Sequence, residues 1–130
     1  MIGEEERFVS INASTEVDLV GQCASETVGG RSWSSSGGQA DFAPGAMYSP
    51  HGIRRPAVHR ARRHRLADPT HPDTRIDGYD PQEHVDHNVT EHGVADMRSR
   101  SISQRATALI AIADPRFRGE LTARGRELAL

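Results

Sequence analysis

The chain has 130 residues, a formal net charge of -2, 35% hydrophobic residues and 5% aromatic residues. It is therefore one domain at most, and a hydrophobic share below the roughly 45–50% apolar content of globular chains, a norm that also counts Gly, allows only a thin core. The near-neutral balance excludes a global electrostatic pull toward nucleic acid or anionic membrane, and no apolar run approaches the ~20 residues needed to span a bilayer.

Cys23 is the single cysteine. It forms no internal disulfide and is expected as a small, half-buried residue in a reducing compartment. Residues 2–6, Ile-Gly-Glu-Glu-Glu, are acidic where a secretory leader is basic, so a cytoplasmic location is expected. All 16 basic residues are Arg. With abundant Ala and Gly, this suggests a GC-rich coding sequence.

In chain order, Phe8-Val9-Ser10-Ile11-Asn12 predicts a short strand, and the alternating Glu16-Val17-Asp18-Leu19-Val20 predicts a second strand or strand end. Gly29, Gly30, Gly37 and Gly38 among serines mark a loop. Asp41 is a candidate N-cap for a helix reaching Tyr48, with Pro44 compatible only with its first turn. Residues 51–84 then change alphabet to Arg, His, Pro and Asp. Their first part, 51–65, is basic and without acids. Asp68, Asp73, Asp77, Asp80 and Glu83 follow.

The last third is more regular. Asn88-Val89-Thr90 predicts a strand with Glu91 at its end. Ser101 and Gln104 form a capping-box pattern, and Ala106, Leu109, Ile110 and Ala113 line one face of the helix that follows. Asp114-Pro115 predicts a second helix, with Asp as N-cap and Pro as its first residue. Phe117, Leu121 and Leu128 form its apolar side, which Gly119 and Gly125 weaken by about 1 kcal/mol each.

The chemistry-bearing residues fall into two groups. Gly37, Gly38, Gln39 and Asp41 lie just before a helix start, where backbone N–H groups can cradle a phosphate or an oxyanion. Glu91 stands at a strand end, where α/β folds place active groups. Each has an ordinary structural alternative, a turn for the glycine pair and a solvated loop acid for Glu91. His51, His59, His64, His71 and His84 match no metal-ligand spacing, so no metal site is expected. The tract 51–65 reads as a charged loop, with an Arg-rich nucleic-acid arm as the alternative.

Taken in order, INASTEVDLVGQ, ETVGGRSWSSSGGQADFAPGA and VTEHGVADMRSRSISQRATALIAIADPRFRGEL resemble the C-terminal domain of the acetyl-CoA hydrolase/transferase family. This family includes 4-hydroxybutyrate and acetate CoA-transferases. The resemblance covers both flanks, about three quarters of the chain. It implies part of an α/β fold of the NagB/RpiA/CoA-transferase type, ending in two helices and carrying an irregular middle segment.

It also implies ping-pong transfer of CoA between an acyl-CoA and acetate or another short-chain acid, through a glutamyl-CoA thioester. Coenzyme A is then a substrate, and no resident cofactor is implied. By the same resemblance, Gly37, Gly38, Gln39 and Asp41 form the loop against the reacting thioester, and Glu91 is a supporting residue of the site. The implied partners are acyl-CoA and a short-chain carboxylate, with an N-terminal half or a second copy completing the enzyme. Neither a membrane nor nucleic acid is an expected partner.

Three departures from the family pattern stand out. The family's nucleophilic glutamate belongs to an upstream motif, which neither Glu16 nor Glu26 matches, so this polypeptide alone is expected to be inactive. Ser35 and Ser99 stand where the family usually has Gly, which penalises any backbone with positive φ. Finally, 51–84 replaces a β-rich family stretch.

A one-base frame shift explains that third departure. It fixes the outer letters of each codon and frees only the middle one. Ile53 to Ala57 then permits Phe-Val-Val-Leu, and Asp68 to Asp80 permits Ile-Arg-Pro-Thr-Leu-Thr-Pro-Gly-Ser-Thr-Val-Thr. Two compensating shifts, near 49–53 and 84–85, are therefore expected, as in a decayed gene. Loss of that stretch predicts strands left without partners, and the C-terminal helices as the most robust part.

Overall fold

The computed structural model describes residues 4–24, 27–28, 31–32, 42, 45–46, 48–51, 53–55, 79–80 and 85–130. Among the described residues, nine short strands and two C-terminal helices are delimited. They are β1 (Val9–Ile11), β2 (Glu16–Val17), β3 (Cys23–Ala24), β4 (Thr27–Val28), β5 (Arg31–Ser32), β6 (Ile53–Arg55), β7 (Tyr79–Asp80), β8 (His87–Thr90), β9 (Gly93–Asp96), α1 (Ile102–Ile112) and α2 (Arg118–Glu127). β1 pairs in parallel with β6, while β2-β3-β7, β4-β5 and β8-β9 are antiparallel. This is the expected α/β composition with two C-terminal helices.

The second predicted strand is cut short at Val17, for a local reason. Asp18 Oδ1 accepts the backbone N–H groups of Val20 at 3.0 Å and Gln22 at 2.8 Å. A short polar side chain that binds its own backbone competes with a ladder and makes a turn. Gly21, at φ 95, allows the chain to reverse, and Asp18 N–H donates to the Gln22 carbonyl at 3.0 Å. β3 then returns along β2, pairing Val17 with Cys23. Burial pushes the Asp18 carboxyl above its ordinary value, against the opposing hydrogen bonds from Gln22, Val20 and Gly21.

Backbone at Phe42, Gly45, Ala46 and Tyr48 is helical, in the stretch where a helix was expected. The proposed cap Asp41 and Pro44 lie outside the described residues. Phe42 stacks on Phe8 with ring centroids 6.2 Å apart. Beyond Tyr48 the chain is stitched to the N-terminal segment. Phe8 N–H donates to Ser49 Oγ at 3.1 Å, Arg7 N–H donates to the Pro50 carbonyl at 2.9 Å, and Ser49 Oγ donates to the Glu5 carbonyl.

Two described pieces of the middle segment correct the expectation that strands lose their partners there. β6 pairs Ile53, Arg54 and Arg55 with Val9, Ser10 and Ile11, and β7 pairs Tyr79 and Asp80 with Ala24 and Cys23. Ladder hydrogen bonds use backbone groups that every non-proline residue carries, so an altered side-chain alphabet does not by itself remove them. The other residues of 51–84, apart from His51, lie outside the described set. So do four of the five histidines weighed above and the charged-loop and nucleic-acid readings of 51–65.

The hairpin β8–β9 packs on α1 and carries much of the core. Cys23, Val85, Ala95, Met97 and Ile112 form one buried cluster, with Val17, Ala108 and Leu109 against it. Cys23 is fully buried rather than half-buried. It sits under the hairpin, where Asn88 Oδ1 is 3.7 Å from its sulfur. Alternation along β9 sets the register, with Ala95 and Met97 inward and Val94, 62% exposed, outward.

Ser101 caps α1 as the sequence predicts. Its Oγ accepts from Gln104 N–H at 3.3 Å, and Gln104 Oε1 accepts from Ser101 N–H at 3.0 Å. Ala106 and Ala113 are buried, and Leu109 and Ile110 are half-buried. The second helix starts later than predicted, at Arg118 with Phe117 as N-cap. The Asp114 carboxylate is held by Arg116, whose N–H donates at 2.9 Å and whose guanidinium donates at 2.6 Å. It therefore closes a turn, in which Phe117 N–H donates to the Asp114 carbonyl, instead of capping the helix. The side-chain hydrogen bond from Arg116, reinforced by its backbone N–H, holds the Asp114 carboxyl well below its ordinary range. Leu121 is buried, with Phe117 and Leu128 half-buried, as predicted for the apolar side.

Candidate functional site

The Thr-Glu-His-Gly sequence of 90–93 is the turn of the β8–β9 hairpin. Thr90 pairs with Gly93, and Glu91 and His92 form the two-residue tip. The four residues divide by role. Thr90 and Gly93 attach the turn to α1, whereas the side chains of Glu91 and His92 are exposed.

Two contacts make the attachment. Thr90 Oγ1 donates to the Ile112 carbonyl at 2.6 Å, satisfying one of the carbonyls a helix leaves open at its C-terminal end. The same oxygen accepts the His92 N–H at 3.1 Å. Gly93, at φ 149, adopts a backbone that L side chains rarely reach, and a Cβ there would lie 3.2 Å from Ile112 Cγ2. The turn is thus seated directly on the last residue of α1.

The Asp114–Arg116 pair lies just past the end of α1 on which the turn is seated. His92 is close enough to Asp114 that its charge adds, as a minor cause, to the lowering of that carboxyl. Arg116 is the main cause, through its two-point contact with Asp114. Glu91 therefore projects from a turn that is fixed below by Thr90 and Gly93 and flanked by an Asp–Arg pair already engaged with itself.

The strand beneath holds buried polar groups that sequence reasoning missed. Asn88 is 0% exposed and its Nδ2 has no hydrogen-bond partner; His87 Nδ1 and Ser14 Oγ share that condition. Asp86 is also buried and pairs with Arg98 at 3.5 Å. The available signal was the position of Asn88 next to Val89 in a short strand, one face of which is buried. The second hairpin strand was also missed. Its signal is the two residues between Thr90 and Gly93, followed by Val94 to Met97 alternating outward and inward.

Of the site residues expected from the sequence, Glu91 is placed at the hairpin tip. Gly37, Gly38, Gln39 and Asp41 lie outside the described residues. Among the described residues, no group of three or more His, Cys, Asp or Glu side chains is arranged to hold a metal ion, and no helix is long and apolar enough to cross a membrane.

Residues 1–124 match the model of the acetyl-CoA hydrolase/transferase C-terminal domain. The chain is 40% identical over 131 residues to succinyl-CoA:cyclohexane-1-carboxylate CoA transferase of Geobacter metallireducens, covering 98% of this chain and 30% of that protein. It is 37% identical over 123 residues to 4-hydroxybutyrate coenzyme A transferase of Clostridium kluyveri, covering 93% and 29%.

Among solved structures, RipA from Yersinia pestis superposes with a TM-score of 0.73 at 32% identity, covering 98% of this chain and 28% of that one. The 4-hydroxybutyrate CoA-transferase from Porphyromonas gingivalis superposes with a TM-score of 0.66 at 36% identity, covering 97% and 28%. The chain spans about 30% of the length of the curated relatives it matches.

Proposed function

Because the chain belongs to the acetyl-CoA hydrolase/transferase family, matching its C-terminal domain over residues 1–124, we propose that it forms one wall of a CoA-transfer site. The supporting observation is the hairpin that carries Glu91 on a turn seated on α1. Glu91 acts as a supporting carboxylate, and Gly37, Gly38, Gln39 and Asp41 face the thioester. Backbone N–H groups of the glycine pair stabilise the oxyanion that forms as the thioester carbonyl is attacked.

The reaction is a ping-pong exchange. A nucleophilic glutamate attacks the acyl-CoA carbonyl, and the C–S bond breaks to release CoA thiolate and leave an acyl-glutamyl anhydride. The thiolate then attacks the glutamyl carbonyl, expelling the first carboxylate and leaving glutamyl-CoA. An incoming acetate or other short-chain acid reverses these steps and departs as its CoA thioester. Neither Glu16 nor Glu26 matches the nucleophile's motif, and the nucleophile is assigned to sequence corresponding to the upstream part of the relatives.

Two assays test this reading. The purified 130-residue polypeptide, given acetyl-CoA and a carboxylate, should show no acyl exchange; detectable exchange would overturn the assignment of the nucleophile. Coexpression with the upstream part of the Porphyromonas 4-hydroxybutyrate CoA-transferase should restore exchange. Glu91→Gln should then lower kcat by about a hundredfold, the scale of losing one polar group that acts in the transition state. A restored complex indifferent to Glu91→Gln would remove Glu91 from the site. We also propose that 51–84 departs from the family's β sequence through two compensating frame shifts. The coding DNA read in all three frames tests this, and a shifted frame that does not spell the family strand overturns it.

A further inference from the structure

The Thr90 hydroxyl is bonded on both sides, donating to the Ile112 carbonyl at 2.6 Å and accepting the His92 N–H at 3.1 Å. The second bond closes a ring that contains both backbone dihedrals of Glu91. The first fixes that ring to the end of α1, whose last residue, Ile112, is buried. Exposed side chains such as those of Glu91 and His92 bury little surface that would restrain a two-residue tip. A single hydroxyl therefore restrains the direction in which the Cα–Cβ bond of Glu91 leaves the hairpin.

We propose that Thr90 is the positioning residue for Glu91, acting through these two hydrogen bonds and not through its methyl group. This rests on the reading of Glu91 as a site residue. The geometry itself can be tested without that reading. Thr90→Val keeps the shape and loses both bonds, leaving a helix-end carbonyl unmet. Thr90→Ser keeps both bonds and loses the methyl.

The test begins with nitrogen-15 relaxation on the labelled 130-residue chain. Order parameters at Glu91 and His92 should stay near the rigid value of about 0.85 in the natural chain and in Thr90→Ser, and fall toward about 0.6 or lower in Thr90→Val. The amides of α1 report whether each variant is folded. Unchanged order in Thr90→Val, or loss of order in Thr90→Ser, overturns the proposal. Should Thr90→Val not fold, three-bond couplings in the natural chain decide the matter, since Thr90 must hold one χ1 rotamer and averaging between rotamers overturns the proposal.

The second arm uses the coexpressed complex. Thr90→Val should lower kcat at least about tenfold with KM for acyl-CoA within about twofold, and Thr90→Ser should recover kcat; a loss confined to KM, or shared by Thr90→Ser, counts against positioning. If the complex with the natural chain is itself inactive, the CoA-transfer reading fails while the relaxation data still decide the role of Thr90.

Discussion

Gly93 stands against Ile112 so closely that a Cβ on Gly93 would lie 3.2 Å from Ile112 Cγ2, at a backbone φ of 149. The conformation strains any L side chain, and the contact requires the Ile112 side chain to give by a few tenths of an ångström. Gly93→Ala should destabilise the chain by about 1–3 kcal/mol, the usual cost of holding a residue in a sparsely populated backbone region. Chemical denaturation reads this as a lower midpoint at constant slope. An unchanged midpoint would mean the turn can lift off α1 at no cost.

Asn88 offers the opposite case, a residue whose replacement should help. Its amide nitrogen is buried without a partner, and leaving such a group unmet costs about 1–3 kcal/mol. That is comparable to the ~1.5–3 kcal/mol gained by burying a side chain such as Met97 in the same cluster. Asn88→Val removes the unmet donor and supplies a residue suited to a strand. It also costs Cys23 one of its weak S–H contacts, leaving the one to the Gly21 carbonyl. Thermal unfolding should move upward by roughly 1 kcal/mol of stability, and a net loss would show that the amide is paired in solution.

Ser99 links β9 to α1 at φ 56, a left-handed conformation. A non-glycine residue there costs about 1–2 kcal/mol relative to glycine, which pays no Cβ penalty. Ser99→Gly should stabilise the chain, offset in part by the greater freedom glycine gives the unfolded state. The expected net gain is about 0.5–1 kcal/mol. A loss of stability would indicate a contact made by the Ser99 side chain.

The pH dependence separates two carboxyls. Asp18 is raised by burial, so its protonated form favours folding; that contribution is complete below its ordinary value of 3.8 and is lost as pH rises through the folded value. Asp18→Asn, which keeps an acceptor oxygen without the charge, should therefore be more stable than the natural chain at pH 7. The difference should close as pH falls toward 3.8. Asp114, lowered by Arg116, works in reverse: its contribution is present above 3.8 and lost only in stronger acid. Denaturation of Asp18→Asn across pH 3–7 checks the sign, and a difference that grows on acidification would refute it.

Much of the C-terminal region was legible because its signals are local. The Ser101–Gln104 capping box and the apolar positions of both helices depend on spacings of three or four residues and appear where expected. The Asp114 cap was misassigned because Arg116, two residues on, competes for the same carboxylate. The strand after Glu16 was overextended because Asp18 binds its own backbone. Within the candidate site, the sequence singles out Glu91, but the hydrogen bond from Thr90 to Ile112 joins residues that only the tertiary structure brings within reach.

The parallel pairing of β1 with β6 has a consequence for how the chain assembles. The Phe8–Ser49 hydrogen bond beside it spans 41 sequence positions, and β3 finds β7 only at Tyr79 and Asp80. By contrast, β8, β9, α1 and α2 meet neighbours close by in sequence. Pairings distant in sequence carry the larger loop-closure entropy and form late. The C-terminal hairpin and helices are thus suited to form early among themselves, while β1 and the open side of β3 must wait until β6 and β7 follow them in the chain. During that interval β1 is unpaired and β3 is covered only on its β2 side, so the vulnerable moment of this chain falls before its C-terminal hairpin and helices have been made.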